Sequence, residues 1–349
     1  MKLKNIIGNI LLLALLNLSC ENPASTEIKD SFDRGVMLEN WLDHYIKPGY
    51  SDFLENTNNL ALQHSEFQAN PTTTNLTLLR ESYKNSYSNW QTISIFGIGP
   101  AERLDLRGFV NTYPTDPEKI EGHIDDRDVN LVLPSTRNAQ GFPALDYLLY
   151  KNTNDEELIA ELSSDPTSIY LTKLISRLQL LASQVHDHWN VEQRETFITN
   201  PESVDRLVND FLLYYEKYLR AGKLGIPSGV FSGAPLPNHV EAPYSGYLSK
   251  SLLIDALIAT QSFFNADQGL KDYLEWMEKS SISDRINTHW DAGFKLLTAI
   301  DDDLRMQIET DHLKVLKVYD ELQKALILLK VDMLQVLSIQ VDYVDADGD

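Results

Sequence analysis

Three places in this sequence bring together side chains that can bind a ligand or carry a proton. In Gly141-Phe142-Pro143-Ala144-Leu145-Asp146-Tyr147 the glycine and proline bend the chain. Pro143, with a fixed φ and no N–H, suits the first turn of a helix. Asp146 then falls three residues on, on the face of Pro143 and near the positive end of the helix dipole. Glu102 and Arg103 follow the Gly99-Pro100 turn, and His239 and Glu241 lie in a second irregular stretch. Asp146 and Glu102 are carboxylates, hard ligands suited to hard divalent or trivalent cations. The plain alternative is that Asp146 caps its helix and Glu241 is solvated.

Other familiar chemistry is missing. There is no His-Glu-x-x-His, no Gly-x-Ser-x-Gly and no phosphate-binding glycine loop. His186 and His188, two apart on a helical stripe, point to different faces and read as surface or packing residues. Glu309-x-x-His312 has the spacing of di-metal bundles, but no second copy accompanies it. Asp342, Asp345, Asp347 and Asp349 imitate the start of a calcium loop that lacks its closing glutamate, and read as a solvated tail.

The elements that must position these groups are helical. Met37, Leu38, Trp41, Leu42 and Tyr45 mark a first helix that Pro48-Gly49 should break or kink, with Phe53 to Phe67 beyond it. Leu76 to Trp90 and Leu171 to Trp189 form two more stripes. Asn200-Pro201 reads as a capped start for Val204 to Tyr218. Further stripes run Leu252 to Phe264, Ile286 to Leu304 and Val315 to Leu337. Residues 95–140 and 222–246 are rich in turn formers without a long period, and loops of that length are commonly functional. A short strand at Val341 to Val344 is the one extended candidate. The pattern predicts an all-α chain of two helical bundles, about four core helices each, over residues 34–195 and 196–349.

With 349 residues, two domains are the natural expectation; 43% hydrophobic and 23% charged residues describe a soluble globular composition. A net charge of −21 argues against a nucleic-acid-binding surface. Lys2, Lys4 and a short apolar run read as a signal over residues 1–19. Cys20, the one cysteine, stands where bacterial lipoproteins are lipidated, so neither a disulfide nor a thiol enzyme is expected. Residues 20–33 read as a tether to a membrane of the cell envelope, at the outer membrane or the periplasmic face.

Several of these segments together resemble the imelysin-like proteins, a family of bacterial envelope proteins with the signature Gly-x-His-x-x-Glu. Here it stands as Gly141-x-Pro143-x-x-Asp146. The resemblance extends through Phe96-Gly97-Ile98-Gly99-Pro100-Ala101-Glu102, Asn111-Thr112-Tyr113-Pro114-Thr115-Asp116 and Ile120, and to Glu241 through Ser245. It implies a pair of helical bundles with the signature near their interface, a role in iron acquisition, and the peptidase label that some relatives carry. Proline in place of the signature histidine removes the best candidate base, which argues against hydrolysis. The expectation is therefore a membrane-anchored binding component for iron, a ferric chelate or haem, working beside the proteins of an iron-uptake system. A metallopeptidase with an atypical site and a protein-interaction scaffold are the alternatives.

Overall fold

The computed structural model describes residues 31–191 and 194–341. Cys20 and the C-terminal aspartates lie outside them. In chain order the helices are α1 (Arg34–Trp41), α2 (Lys47–Ala69), α3 (Thr73–Ile93), α4 (Pro100–Arg103), α5 (Leu106–Val110), α6 (Pro117–Asp125), α7 (Gly141–Tyr150), α8 (Asp155–Leu162), α9 (Asp165–Val191) and α10 (Arg194–Thr199). The second half adds α11 (Ser203–Leu213), α12 (Leu248–Phe264), α13 (Leu270–Trp276), α14 (Ser280–Thr298), α15 (Leu304–Ile327) and α16 (Leu334–Leu337). No strand occurs among the described residues, so the fold is all-α, and Val341 is not extended into a sheet.

The long helices form where the apolar stripes were read, and their starts are capped by local chemistry. Asp33 accepts from the Val36 N–H at 3.0 Å, Thr72 from Asn75 at 3.3 Å and Asp116 from Lys119 at 3.0 Å. Leu76, Leu79, Tyr83, Tyr87 and Trp90 of α3 are all buried, as their spacing requires. Each such side chain contributes roughly 1.5–3 kcal/mol of burial.

Some boundaries differ from the sequence reading. Pro48-Gly49 does not break the first helix, because Pro48 sits in the first turn of α2 and a wide π-helical turn, Leu42–Ile46, joins α1 to it. Asn200-Pro201 forms a turn ahead of α11, with Asn200 Oδ1 accepting from the Glu202 N–H at 3.0 Å. The irregular stretch 95–140 folds into α4, α5, α6 and a 3₁₀ turn at Pro134–Ala139, pieces too short to show a period. α15 kinks at Asp311 (φ −157°, ψ 78°), which takes Glu309 and His312 off a common helical face.

The described residues from Phe32 onward form one compact unit by their contacts. Its buried apolar residues make one cluster, from Met37 to Ile339, so the expected boundary between residues 195 and 196 is not a break in the core. α12 packs on α3, and Phe263 of α12 stacks on Trp41 of α1 with ring centroids 4.7 Å apart. α2 lies against α3 and α9, and α14 against α15.

The segment after α11 departs furthest from ordinary helix. Tyr214–Gly225 is wound as a π-helix, its wide turns visible in bonds such as Ile226 N–H to Ala221 O at 2.8 Å. It carries three charged side chains into the interior: Glu216, Arg220 and Lys223. Arg220 donates to Gln323 Oε1 at 2.5 Å, and Lys330 lies 3.1 Å from Glu216.

Candidate functional site

Asp146 does not cap its own helix. α7 begins where Gly141, at φ +73°, passes so close to α5 that a Cβ there would meet Val110 O at 2.2 Å. This glycine is required by close approach as well as by its left-handed backbone. Pro143 lies buried in the opening turns, and Asp146 is fully buried. Its carboxylate accepts from the backbone N–H of Tyr244 at 2.8 Å, that of Ser245 at 3.2 Å and the Tyr83 hydroxyl at 3.3 Å. Burial pushes its pKa up to about 6, against the pull of those donors.

The loop so held carries Glu241, which is buried rather than solvated. Glu241 accepts from Asn111 Nδ2 at 2.7 Å, Gln91 Nε2 at 3.1 Å and Lys223 Nζ. Loop and surroundings therefore grip each other twice: Asp146 receives the loop's N–H groups, and the loop's Glu241 receives side chains from α3, the α5 end and the π-helix. Ala242, at φ +53°, bends the chain between the two grips. Burial pulls the Lys223 ammonium below the usual lysine range, although the Glu241 charge opposes this. Tyr87 donates to Asn111 Oδ1 at 2.6 Å, which fixes the amide that faces Glu241.

A second, partly buried pair stands beside this one. Arg107 of α5 donates to Asp210 of α11 through both terminal nitrogens, at 2.6 and 2.8 Å, and through Nε to Ser94 O at 2.6 Å. The Gly97 N–H also donates to Asp210, at 2.6 Å. A Cβ at Gly97 would sit 2.3 Å from the guanidinium, so glycine there makes room for arginine. Tyr214 and Tyr218 flank the guanidinium at 5.6 and 5.3 Å.

Over these pairs opens a cleft of about 380 Å³, with Arg107, Asn111, Tyr113, Arg137, Lys217 and His239 on its wall. Immediately behind it, sharing Arg107, Asn111, Tyr113 and Tyr218, is a chamber of about 20 Å³ that reaches Lys223, Trp90 and Gln91. Asp105 also lines the cleft and pairs with Arg137, and Arg107 is paired with Asp210, so Lys217 and His239 are the basic groups of the lining without a carboxylate partner among the described residues. With the tyrosines beside them, the arrangement suits an anion carrying an organic body.

The residues singled out from sequence separate into two places. His239 lines the cleft, Glu241 lies beneath it, and Asp146 with Gly141 and Pro143 holds the far end of the loop. Glu102 and Arg103 are elsewhere. Glu102 is 57% exposed and pairs with Arg206 at 2.7 Å, while Arg103 Nη2 lies 2.5 Å from His188 Nε2. Both line a separate 290 Å³ pocket walled by Trp189 and Phe197. The expected metal pair, Asp146 with Glu102, therefore does not converge: α4 is a single turn whose Glu102 faces solvent, and Asp146 is sealed inside. Among the described residues no three carboxylate, imidazole or thiolate groups gather as a metal site. Lys223, Arg107, Asp210 and Gln91 were missed. A lone lysine or arginine near an apolar stripe gives no sign of burial until its partner, distant in sequence, is known.

The solved structures that resemble this one share its fold. An imelysin-like protein from Psychrobacter arcticum aligns with a TM-score of 0.72 at 17% identity, over 89% of this chain and 97% of that one. A putative iron-regulated protein A precursor from Parabacteroides distasonis aligns with a TM-score of 0.68 at 14% identity, over 85% and 94%. In sequence, iron-regulated protein A of Synechococcus elongatus is 22% identical over 151 residues. That alignment spans 42% of this chain and 41% of the relative, so less than half of either protein is compared. The family model described as Imelysin, peptidase M75, matches residues 46–329. That match takes in α7, the doubly gripped loop and the whole cleft, and this chain belongs to the imelysin family.

Proposed function

We propose that this protein is a binding component in iron handling, and that it takes an anionic iron chelate into the cleft above Lys223 and Glu241. The observation that carries the reading is the cleft: Lys217, His239 and the Asp105-paired Arg137 on its lining, tyrosines on the walls, and the Arg107–Asp210 and Lys223–Glu241 pairs as a rigid floor. Such a cleft holds the organic anion that surrounds a ferric ion, and the protein need not supply the metal's own ligands. The names of the relatives, iron-regulated protein A among them, support the link to iron. A binding role also fits a site with no activated nucleophile beside a base. Attachment to the cell envelope through Cys20, beside the proteins of an uptake system, is part of the same proposal; no helix among the described residues is long and apolar enough to cross a membrane.

The test is a titration of the full chain, in detergent, with ferric citrate and with haem, followed by calorimetry. The comparison protein carries Arg137→Glu and Lys217→Glu, two changes at the cleft mouth. Binding weakened at least about tenfold, or ~1.4 kcal/mol, by the double change supports the reading. No binding of any iron chelate, or binding indifferent to the change but lost in Glu102→Ala, moves the ligand out of this cleft.

A further inference from the structure

The small chamber behind the cleft is lined by residues with unmet hydrogen-bonding capacity. Trp90 and Gln91, each only 1% exposed, stand on its wall. Neither Trp90 Nε1 nor Gln91 Oε1 has a hydrogen-bond partner among the described residues. The orientation of Gln91 is fixed, because its Nε2 donates to Glu241 Oε1 at 3.1 Å and Tyr87 O at 3.4 Å. Turning the amide over would set its oxygen against a carboxylate, so Oε1 is the free atom. The residues around this space for about one oxygen atom thus include an unpartnered donor, Trp90 Nε1, an unpartnered acceptor, Gln91 Oε1, and the Tyr214 hydroxyl, which also lacks a partner among the described residues and can serve as either. It adjoins the cleft at the shared residues Arg107, Asn111, Tyr113 and Tyr218.

We infer that this chamber receives a hydroxyl oxygen of the bound ligand, and that the cleft therefore selects hydroxycarboxylate chelators. A hydroxyl accepts from the Trp90 N–H and donates to Gln91 Oε1. A carboxylate oxygen meets the first need and is repelled by the second, the cations of the lining, Arg107 and Lys223, being already paired with Asp210 and Glu241; a methylene meets neither. The carboxylates of the same molecule stay in the cleft, among Arg137, Lys217 and His239. This inference rests on the cleft being the ligand site, and it adds the class of ligand.

Citrate and tricarballylate separate the two ideas, since both have three carboxylates and only citrate has the hydroxyl. Calorimetry on the full chain should show citrate bound at least about tenfold more tightly, because a buried polar pair left unpartnered rejects the analogue that cannot fill it. Trp90→Phe, which keeps an aromatic ring and removes the donor, should abolish that preference. In the unaltered chain labelled with ¹⁵N-tryptophan, the Trp90 indole resonance should move with citrate and stay with tricarballylate, which decides the matter even if the variant folds poorly. Equal affinities, or an indole signal unmoved by citrate, assign the chamber to a structural water and overturn the inference while leaving the cleft reading intact. If neither acid binds but haem or another ferric chelate does, the inference falls and the cleft reading stands. If no iron chelate binds, both fall.

Discussion

The carboxylate of Asp146 accepts the backbone N–H of Tyr244 at 2.8 Å, across 98 residues of chain and without a cation at the contact. Neutral donors alone compensate a charge that is wholly buried. The signature position therefore acts on the cleft through the loop it holds.

That arrangement sets a pH dependence whose sign is unusual for a carboxylate. The Asp146 pKa is raised from 3.8 to about 6, so the folded protein binds this proton more tightly than the unfolded chain does. Its contribution to stability is full below the unfolded value and is lost as pH rises through the folded one. Asp146→Asn removes the charge and keeps the shape. Relative to that variant, the native protein should gain roughly 2 kcal/mol between pH 8 and pH 4.5. Urea unfolding of both proteins at the two pH values measures this, and an unchanged difference would refute the assignment.

Lys223 and Glu241 should prove strongly coupled. Lys223→Met leaves Glu241 buried without its cation and should cost about 3–5 kcal/mol. Adding Glu241→Gln removes the stranded charge while an amide oxygen can still accept from Asn111 and Gln91, so the double variant should be more stable than Lys223→Met alone. A double-mutant cycle with no interaction energy would mean that the pair is not formed in solution.

Two glycines should respond to alanine in opposite directions. At Gly141 the left-handed backbone and the contact with Val110 O predict a loss of at least about 2 kcal/mol. Gly122 lies inside α6 on an ordinary helical backbone, and a Cβ there would meet nothing within 4 Å. Gly122→Ala should therefore be neutral or stabilising by up to about 1 kcal/mol. Thermal unfolding distinguishes the two directly.

How far the sequence could be read depended on the length of each signal. The stripe from Leu76 to Trp90 and that from Leu171 to Trp189 were legible because several turns repeat one apolar face. α4 and α5 were not, since helices of four and five residues hold their shape through contacts made elsewhere. Asp146, His239 and Glu241 stand out in the sequence because a bend, an irregular stretch and a family signature point to them, and the structure places His239 on the cleft and the other two buried around its loop. Glu102 was misplaced: a Gly-Pro turn marks a change of direction, and says nothing of which side faces solvent. Arg107 could not be recognised without Asp210, which lies 103 residues away.

The π-helical winding of Tyr214–Gly225 makes this part of the chain sensitive to its length as well as to its composition. Residues in wide turns fall at different angles from those in an ordinary helix, so Lys223 reaches Glu241 only because the segment holds the number of residues it does. Deleting one residue between Tyr214 and Lys223 would rewind the segment and swing the ammonium to another face, with every side chain of the cleft still encoded.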